Sequence, residues 1–175
     1  NPSRIMVLTF LQALTRPYGT LHLQMDGPDY GPTVVFANSL GTDLRLWDKV
    51  LPLLPTGMRY VRYDKRGHGL SSQTGGETIT CHAEDAIAVI EHVGGPVVFV
   101  GLSIGGLIAQ TVASRRPDLV RALVLSNTAA KLGAAENWQA RINAVTEGGL
   151  DAIADGVMDR WFAPAFRATP ELALW

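Results

Sequence analysis

Apolar and polar positions recur along this chain with two different periods. Thr20 to Met25 carries Leu21, Leu23 and Met25 on one side, a period of two that predicts a strand. Gly27-Pro28 and Gly31-Pro32 bracket a turn, and Thr33 to Ala37 follows with no polar side, as a strand covered on both faces should. These two strands are expected to form an antiparallel opening pair. Asp43 to Leu51 places Leu44, Trp47 and Leu51 on one side of a short helix, which Pro52 and Pro55 terminate before a strand at Arg59 to Tyr63.

From Thr80 to His92 the period lengthens. Ala83, Ala86, Ile87, Ile90 and Val93 fall on one helix face and Glu84, Asp85 and Glu91 on a wet one. Gly94-Gly95-Pro96 ends that helix and leads into a strand at Val97 to Val100. A helix from Ser103 to roughly Arg115 turns Leu107, Ile108, Thr111 and Val112 inward, and Arg121 to Ser126 reads as another buried strand. Strands and helices alternating over short connections predict a parallel sheet with right-handed crossovers, so the fold class is α/β. After Asn127 the alternation stops. Residues 137–147 and 149–161 read as helices, with Trp161, Phe162 and Phe166 as the core of a separate helical layer. The expected division is an extension over 1–14, a core over 15–130 and a helical layer over 131–175.

Composition narrows the function classes. The 175 residues carry 18% charged positions and a formal net charge of -1, which argues against a polybasic nucleic-acid surface. Cys81 is the one cysteine, and beside four histidines it supports neither a disulfide framework nor a zinc cluster, so no metal site is expected. The apolar run from Ile5 to Leu11 is far short of the roughly 20 residues needed to span a bilayer. No small-residue cleavage site follows it before Tyr18, so the expectation is a cytoplasmic protein without a membrane segment.

The sharpest chemical signal is Gly101-Leu102-Ser103-Ile104-Gly105-Gly106. A G-x-S-x-G string between a buried strand and a helix places the serine on a tight turn with its hydroxyl projecting, the arrangement of a nucleophile elbow. Its competitor is a glycine-rich junction in which Ser103 merely caps the helix. Dinucleotide and P-loop patterns are absent. A serine nucleophile acting on a carbonyl needs N–H donors for the oxygen that becomes negative. Ile104 N–H follows the serine directly, and Leu40 N–H lies in the turn after the Thr33 to Ala37 strand.

Several segments together resemble the 3-oxoadipate enol-lactonases of the α/β-hydrolase superfamily, over about residues 18 to 168. They are Asn38-Ser39-Leu40-Gly41-Thr42-Asp43, Asp64-Lys65-Arg66-Gly67-His68-Gly69, the elbow itself, Ser126-Asn127-Thr128-Ala129-Ala130 and Trp138-Gln139-Ala140-Arg141-Ile142. The resemblance implies an α/β-hydrolase fold, here an incomplete, mostly parallel sheet with the beginning of a helical cap. It makes Ser103 the nucleophile and Leu40 and Ile104 the backbone donors. It implies no cofactor and a small anionic lactone as substrate. Trp138 and Arg141 are candidate substrate contacts on the cap, Arg141 for a carboxylate and Trp138 as an apolar wall. The bland alternative leaves Arg141 in solvent and Trp138 on the core.

A serine hydroxyl also needs a histidine to take its proton and a carboxylate to orient that histidine, and in this fold the chain order is Ser, acid, His. His22, His68, His82 and His92 all precede Ser103, and no histidine occurs from 104 to 175. His68 reads as scaffold, His82 and His92 as helix-surface or capping residues, and His22 as part of the opening strand. Asp118 precedes a strand, while Asp151, Asp155 and Asp159 recur every four residues as one solvated helix face. Trp47, Asp64 and Arg66 read as structural. The downstream acid and histidine are therefore expected from a further segment, on the same chain or on a complementary C-terminal polypeptide. A small-ester carboxylesterase and a noncatalytic binding module of the same fold remain the alternatives.

Overall fold

The computed structural model describes residues 9–73 and 78–174. Strands β1 (Thr9–Arg16), β2 (Gly19–Asp26), β3 (Thr33–Ala37), β4 (Arg59–Tyr63), β5 (Val97–Leu102) and β6 (Val120–Ser126) make one sheet in the order β1-β2-β4-β3-β5-β6. β4, β3, β5 and β6 run parallel to one another, and β1 and β2 are antiparallel additions at one side. Helices α1 (Ile79–His92) and α2 (Ile104–Arg115) fall between the later strands. Asn1–Leu132 and Gly133–Trp175 form two compact units.

In the first unit β3 is buried at every position. Alternate side chains of a strand point to opposite faces, and accordingly Val35 and Ala37 join one core cluster while Val34 and Phe36 join the other. The larger cluster packs the sheet against α1 and α2 through Val89, Ile90, Phe99, Ile108 and Val112. Each such side chain removed from water contributes about 1.5–3 kcal/mol. The smaller cluster is organised by Trp47, whose ring centroid lies 4.8 Å from that of Phe36.

Several sequence expectations need correction. β2 does not pair with β3. It pairs with β1 through an Arg16↔Gly19 register and with β4 on its other edge, because β3 is already flanked by β4 and β5. Thr9 to Leu14, expected to be an extension, therefore belongs to β1, whose Leu11 faces solvent and disguised the strand pattern. Residues 1–8 of that extension lie outside the described residues. The helix expected over 43–51 is two 3-10 turns, Leu44–Trp47 and Leu51–Leu53, although Leu44 and Trp47 are buried as expected. In α2 the buried residues are Gly105, Gly106, Ile108, Ala109 and Val112, with Leu107 and Thr111 only partly covered. β6 is not a buried strand: Val124 is 49% exposed and Leu125 45%.

The expected wet face of α1 is wrong at Asp85, which is 0% exposed. Arg66 Nε and Nη2 donate to its two oxygens at 2.6 and 2.8 Å, and Arg16 Nε adds a third bond at 3.2 Å. Two guanidiniums neutralise the carboxylate and fill its acceptor sites, which makes its burial tolerable. His82, expected at the surface, is 6% exposed, and its Nδ1 is buried without a hydrogen-bond partner.

Burial lowers the pKa of His82 to about 4 from an ordinary 6.5, and the charges of Lys65, His68 and Arg66 act in the same direction. Between those two pH values the unfolded chain holds a proton that the folded chain does not. Stability is therefore expected to fall by roughly 1–3 kcal/mol as the pH drops from 6.5 to 4. Urea unfolding at pH 7.5 and pH 5 should show this slope, and His82→Phe should flatten it; an unchanged slope in that variant would remove His82 as the cause.

The second unit contains α3 (Ala135–Gly148), α4 (Asp151–Trp161), α5 (Pro164–Arg167) and a 3-10 turn at Pro170–Leu174. Trp161 does not sit in a core, being 39% exposed, while the Phe162 and Phe166 rings stack at 5.2 Å. Asp151, Asp155 and Asp159 are exposed.

Candidate active site

β5 ends at Leu102 and α2 starts at Ile104, so Ser103 alone makes the turn between them, at φ 56° and ψ -118°. A serine at positive φ is a strained conformation that surrounding structure must impose. The Ser103 side chain makes no capping hydrogen bond to α2, which is the opposite of what a serine present only as a cap would do.

Small residues make the turn possible. A Cβ on Gly101 would lie 2.4 Å from Gly105 O, and one on Gly105 would lie 2.1 Å from Ala37 O. No side chain fits at either position. The same closeness brings the first turn of α2 against the backbone of Ala37 and Asn38, where the loop after β3 begins. The turn is pinned from β6: Ser103 N–H donates to Ser126 O at 3.0 Å, and Ser103 O accepts from Thr128 Oγ1 at 2.7 Å and Gly106 N–H at 2.9 Å.

The loop after β3 is held as firmly. The Asn38 side chain, fully buried, donates through Nδ2 to Tyr63 O at 3.2 Å and accepts from Trp47 Nε1 at 2.7 Å. Lys65 Nζ donates to Ser39 O at 2.9 Å, and Gly41 N–H donates to His68 Nε2 at 3.1 Å. Leu40 N–H and Ile104 N–H take part in none of the backbone hydrogen bonds of turns, loops and caps among the described residues. Ile104 N–H is in addition one of the N-terminal donors that a helix leaves unsatisfied, at the positive end of the α2 dipole.

Three of the four histidines are hydrogen-bonded elsewhere and the fourth, His82, is buried. His22 Nδ1 lies 2.8 Å from Asp64 Oδ2. His68 Nε2 accepts from Gly41, so its proton is on Nδ1, which lies 3.1 Å from Arg66 O. His82 is buried and His92 Nε2 contacts Gln12 Oε1 at 2.9 Å. None of these bonds reaches Ser103. Asp118 pairs with Arg116. Asp64 accepts from Leu44 N–H at 2.7 Å and Leu70 N–H at 3.0 Å, and Arg66 binds Asp85, so both act in holding the turn after β4.

In the second unit, Trp138 and Arg141 lie one helical turn apart on α3, both half-buried, with the guanidinium carbon 5.9 Å from the indole centroid. Burial lowers the pKa of Arg141, and the charge of Arg160 adds to this. Sequence reasoning missed Lys65, Asn38 and Thr128. None of the three was singled out by its own chemistry, and no periodic signal marks a residue whose partner is a distant backbone carbonyl. Among the described residues no group of three or more His, Cys, Asp or Glu could hold a metal ion, and no helix is long and apolar enough to cross a membrane.

Comparison with known proteins agrees with this geometry. Residues 32–166 match the alpha/beta hydrolase fold family. The chain is 37% identical over 169 residues to 3-oxoadipate enol-lactonase 2 of Acinetobacter baylyi, covering 95% of this chain and 63% of the relative. It is 34% identical over 148 residues to 3-oxoadipate enol-lactonase 1 of the same organism, covering 84% of this chain and 56% of that relative. Among solved structures, the enol-lactonase from Burkholderia xenovorans LB400 superposes with a TM-score of 0.83 at 34% identity, covering 89% of this chain and 61% of that one. The chain thus spans less than two thirds of the length of these relatives. A turn that strains Ser103 between a parallel strand and a helix, and a match running from β3 into the helical unit, make this chain a member of the alpha/beta hydrolase family that resembles the 3-oxoadipate enol-lactonases.

Proposed function

We propose that this chain is the elbow-bearing and partial-cap portion of a serine hydrolase that opens 3-oxoadipate enol-lactone to 3-oxoadipate. The observation that carries the proposal is the strained Ser103 at the start of α2, whose first turn packs against the backbone of Ala37 and Asn38, where the loop bearing Leu40 begins; among the described residues neither the Leu40 nor the Ile104 N–H takes part in the backbone hydrogen bonds of turns, loops and caps. Ser103 Oγ attacks the lactone carbonyl and the two N–H groups stabilise the resulting oxyanion. The ring C–O bond then breaks, leaving an acyl-enzyme and an enol that tautomerises to the ketone, and water hydrolyses the acyl-enzyme. A histidine oriented by a carboxylate moves the protons in both halves, and a segment beyond these 175 residues supplies both groups. Each step is a proton or acyl transfer, so no cofactor is required. β6 is the last strand of the sheet order among the described residues, so a further strand from that segment could pair with its outer edge. A cytoplasmic location belongs to the same reading.

The test is a direct comparison, in the completed enzyme, of kcat/KM for enol-lactone and for p-nitrophenyl esters. A preference for the lactone supports the proposal, and a preference for the simple esters assigns the protein to the carboxylesterases. Arg141 is the proposed contact for the substrate carboxylate. Arg141→Ala is expected to lower kcat/KM for the acidic lactone by about tenfold to a hundredfold more than for a matched neutral lactone, since only the former loses a charge-assisted hydrogen bond. Equal losses on both substrates would make Arg141 a structural residue of α3.

A further inference from the structure

We propose that Lys65 and Thr128 are positioning residues of the oxyanion hole, each holding from behind the carbonyl of the peptide whose N–H is a donor. This rests on the assignment of Leu40 and Ile104 as the donors.

The Leu40 N–H belongs to the same rigid peptide unit as Ser39 C=O, and the Ile104 N–H to the same unit as Ser103 C=O. In a planar trans peptide the N–H and C=O point in opposite directions, so whatever fixes the oxygen also fixes the direction of the hydrogen. Both oxygens are fixed by a side chain from another part of the fold. Ser39 O accepts from Lys65 Nζ at 2.9 Å and from Thr42 Oγ1 at 3.0 Å. Ser103 O accepts from Thr128 Oγ1 at 2.7 Å and from Gly106 N–H at 2.9 Å.

The two anchors reach in from the ends of the strands on either side of the site. Lys65 follows β4 and Thr128 follows β6, while the peptides they hold follow β3 and β5, which lie side by side between them. Lys65 is 1% exposed. Burying an amine in a protein interior is costly, and an apolar side chain of equal length would fill the same volume without that cost. What lysine adds is a donor at the Ser39 oxygen. Burial pulls its pKa down to about 7, against the opposing charges of Asp64 and Asp43, and the protonated and neutral amines both carry the N–H that Ser39 O accepts. A donor at the carbonyl also polarises the amide and strengthens its N–H as a donor in turn. The neighbouring peptide is restrained as well, since Gly41 N–H donates to His68. The Leu40 peptide is therefore held on its carbonyl side and at the next residue, and its own N–H points away from the anchored Ser39 oxygen.

The experiment compares Lys65→Met, Thr128→Val and Thr128→Ser with the parent in the completed enzyme. The readouts are kcat and KM on enol-lactone, the affinity for an arylboronic acid that mimics the tetrahedral intermediate, and labelling of Ser103 by a fluorophosphonate. Lys65→Met and Thr128→Val are expected to lower kcat and boronate affinity together by about tenfold to a hundredfold while KM stays within about twofold, because only the state with a negative oxygen is affected. Thr128→Ser, which restores the hydroxyl, should return both to near the parent value. If Lys65→Met does not fold, the Thr128 pair carries the same test.

Parent kcat and boronate affinity in folded Lys65→Met and Thr128→Val, with Ser103 still labelled, would overturn this proposal and leave the serine-hydrolase assignment standing. Labelling that persists in Ser103→Ala would overturn both.

Discussion

Replacing Ser103 with alanine in the completed enzyme is expected to abolish acyl-enzyme formation and lower kcat by about 10⁴-fold to 10⁶-fold, as removal of one member of a catalytic unit does. The fold should survive. Ser103 Oγ makes no capping bond, and the contacts that pin the turn use only its backbone: N–H to Ser126 O and O from Thr128 and Gly106. Alanine still has to occupy φ 56°, a conformation equally strained for serine, so the substitution changes chemistry and little else. Rapid-quench intact mass spectrometry with a slowly deacylating ester, followed by peptide mapping, reads the result. A label on Ser103 that vanishes in the variant is the expected outcome. Unchanged turnover and labelling in a mass-verified Ser103→Ala protein would reject Ser103 as the nucleophile and with it the serine-hydrolase mechanism.

The second large effect concerns the 175 residues by themselves, which are expected to show no sustained lactone turnover. The reason is the placement of the histidines. His22 is tied to Asp64, His68 to Gly41 and Arg66, and His92 to Gln12, while burial keeps His82 uncharged down to about pH 4. Not one of them bonds to Ser103, and an unactivated hydroxyl is a poor nucleophile at neutral pH. The purified, mass-verified chain should be assayed with enol-lactone before and after addition of a polypeptide that supplies the downstream acid and histidine. Turnover restored by that polypeptide supports the proposed division of the site. Sustained turnover by the chain alone, lost in Ser103→Ala, would instead show that one of these four histidines reaches the serine.

The elbow was legible in the sequence because a local constraint writes it: a strand-to-helix turn that exposes a hydroxyl needs glycines where the backbones touch, and Gly101 and Gly105 are where a Cβ would collide. The alternation of strands and helices was legible for the same reason, since side-chain period is set by local geometry. The elements β3, β4, α1, β5 and α2 fall close to where the pattern put them.

What the pattern could not carry was partnership over distance. β2 pairs with β1 and β4 and not with β3, the strand that follows it in sequence, because a strand presents the same edge chemistry to any partner and the order within the sheet is decided by which faces must be covered. Asp85 had the spacing of a solvated residue and lies in the core, since two guanidiniums from β1 and from the turn after β4 converge on it. Nothing in the sequence pattern singled out Lys65. It became an anchor for Ser39 only when the chain folded and brought the end of β4 against the loop after β3, a contact between residues 26 positions apart. Periodicity reports what each residue does within its own turn or strand, and the G-x-S-x-G string set between two periodic elements identified Ser103. The hydrogen bonds from Thr128 to Ser103 and from Lys65 to Ser39 join residues far apart in the chain, and only the tertiary structure decided them.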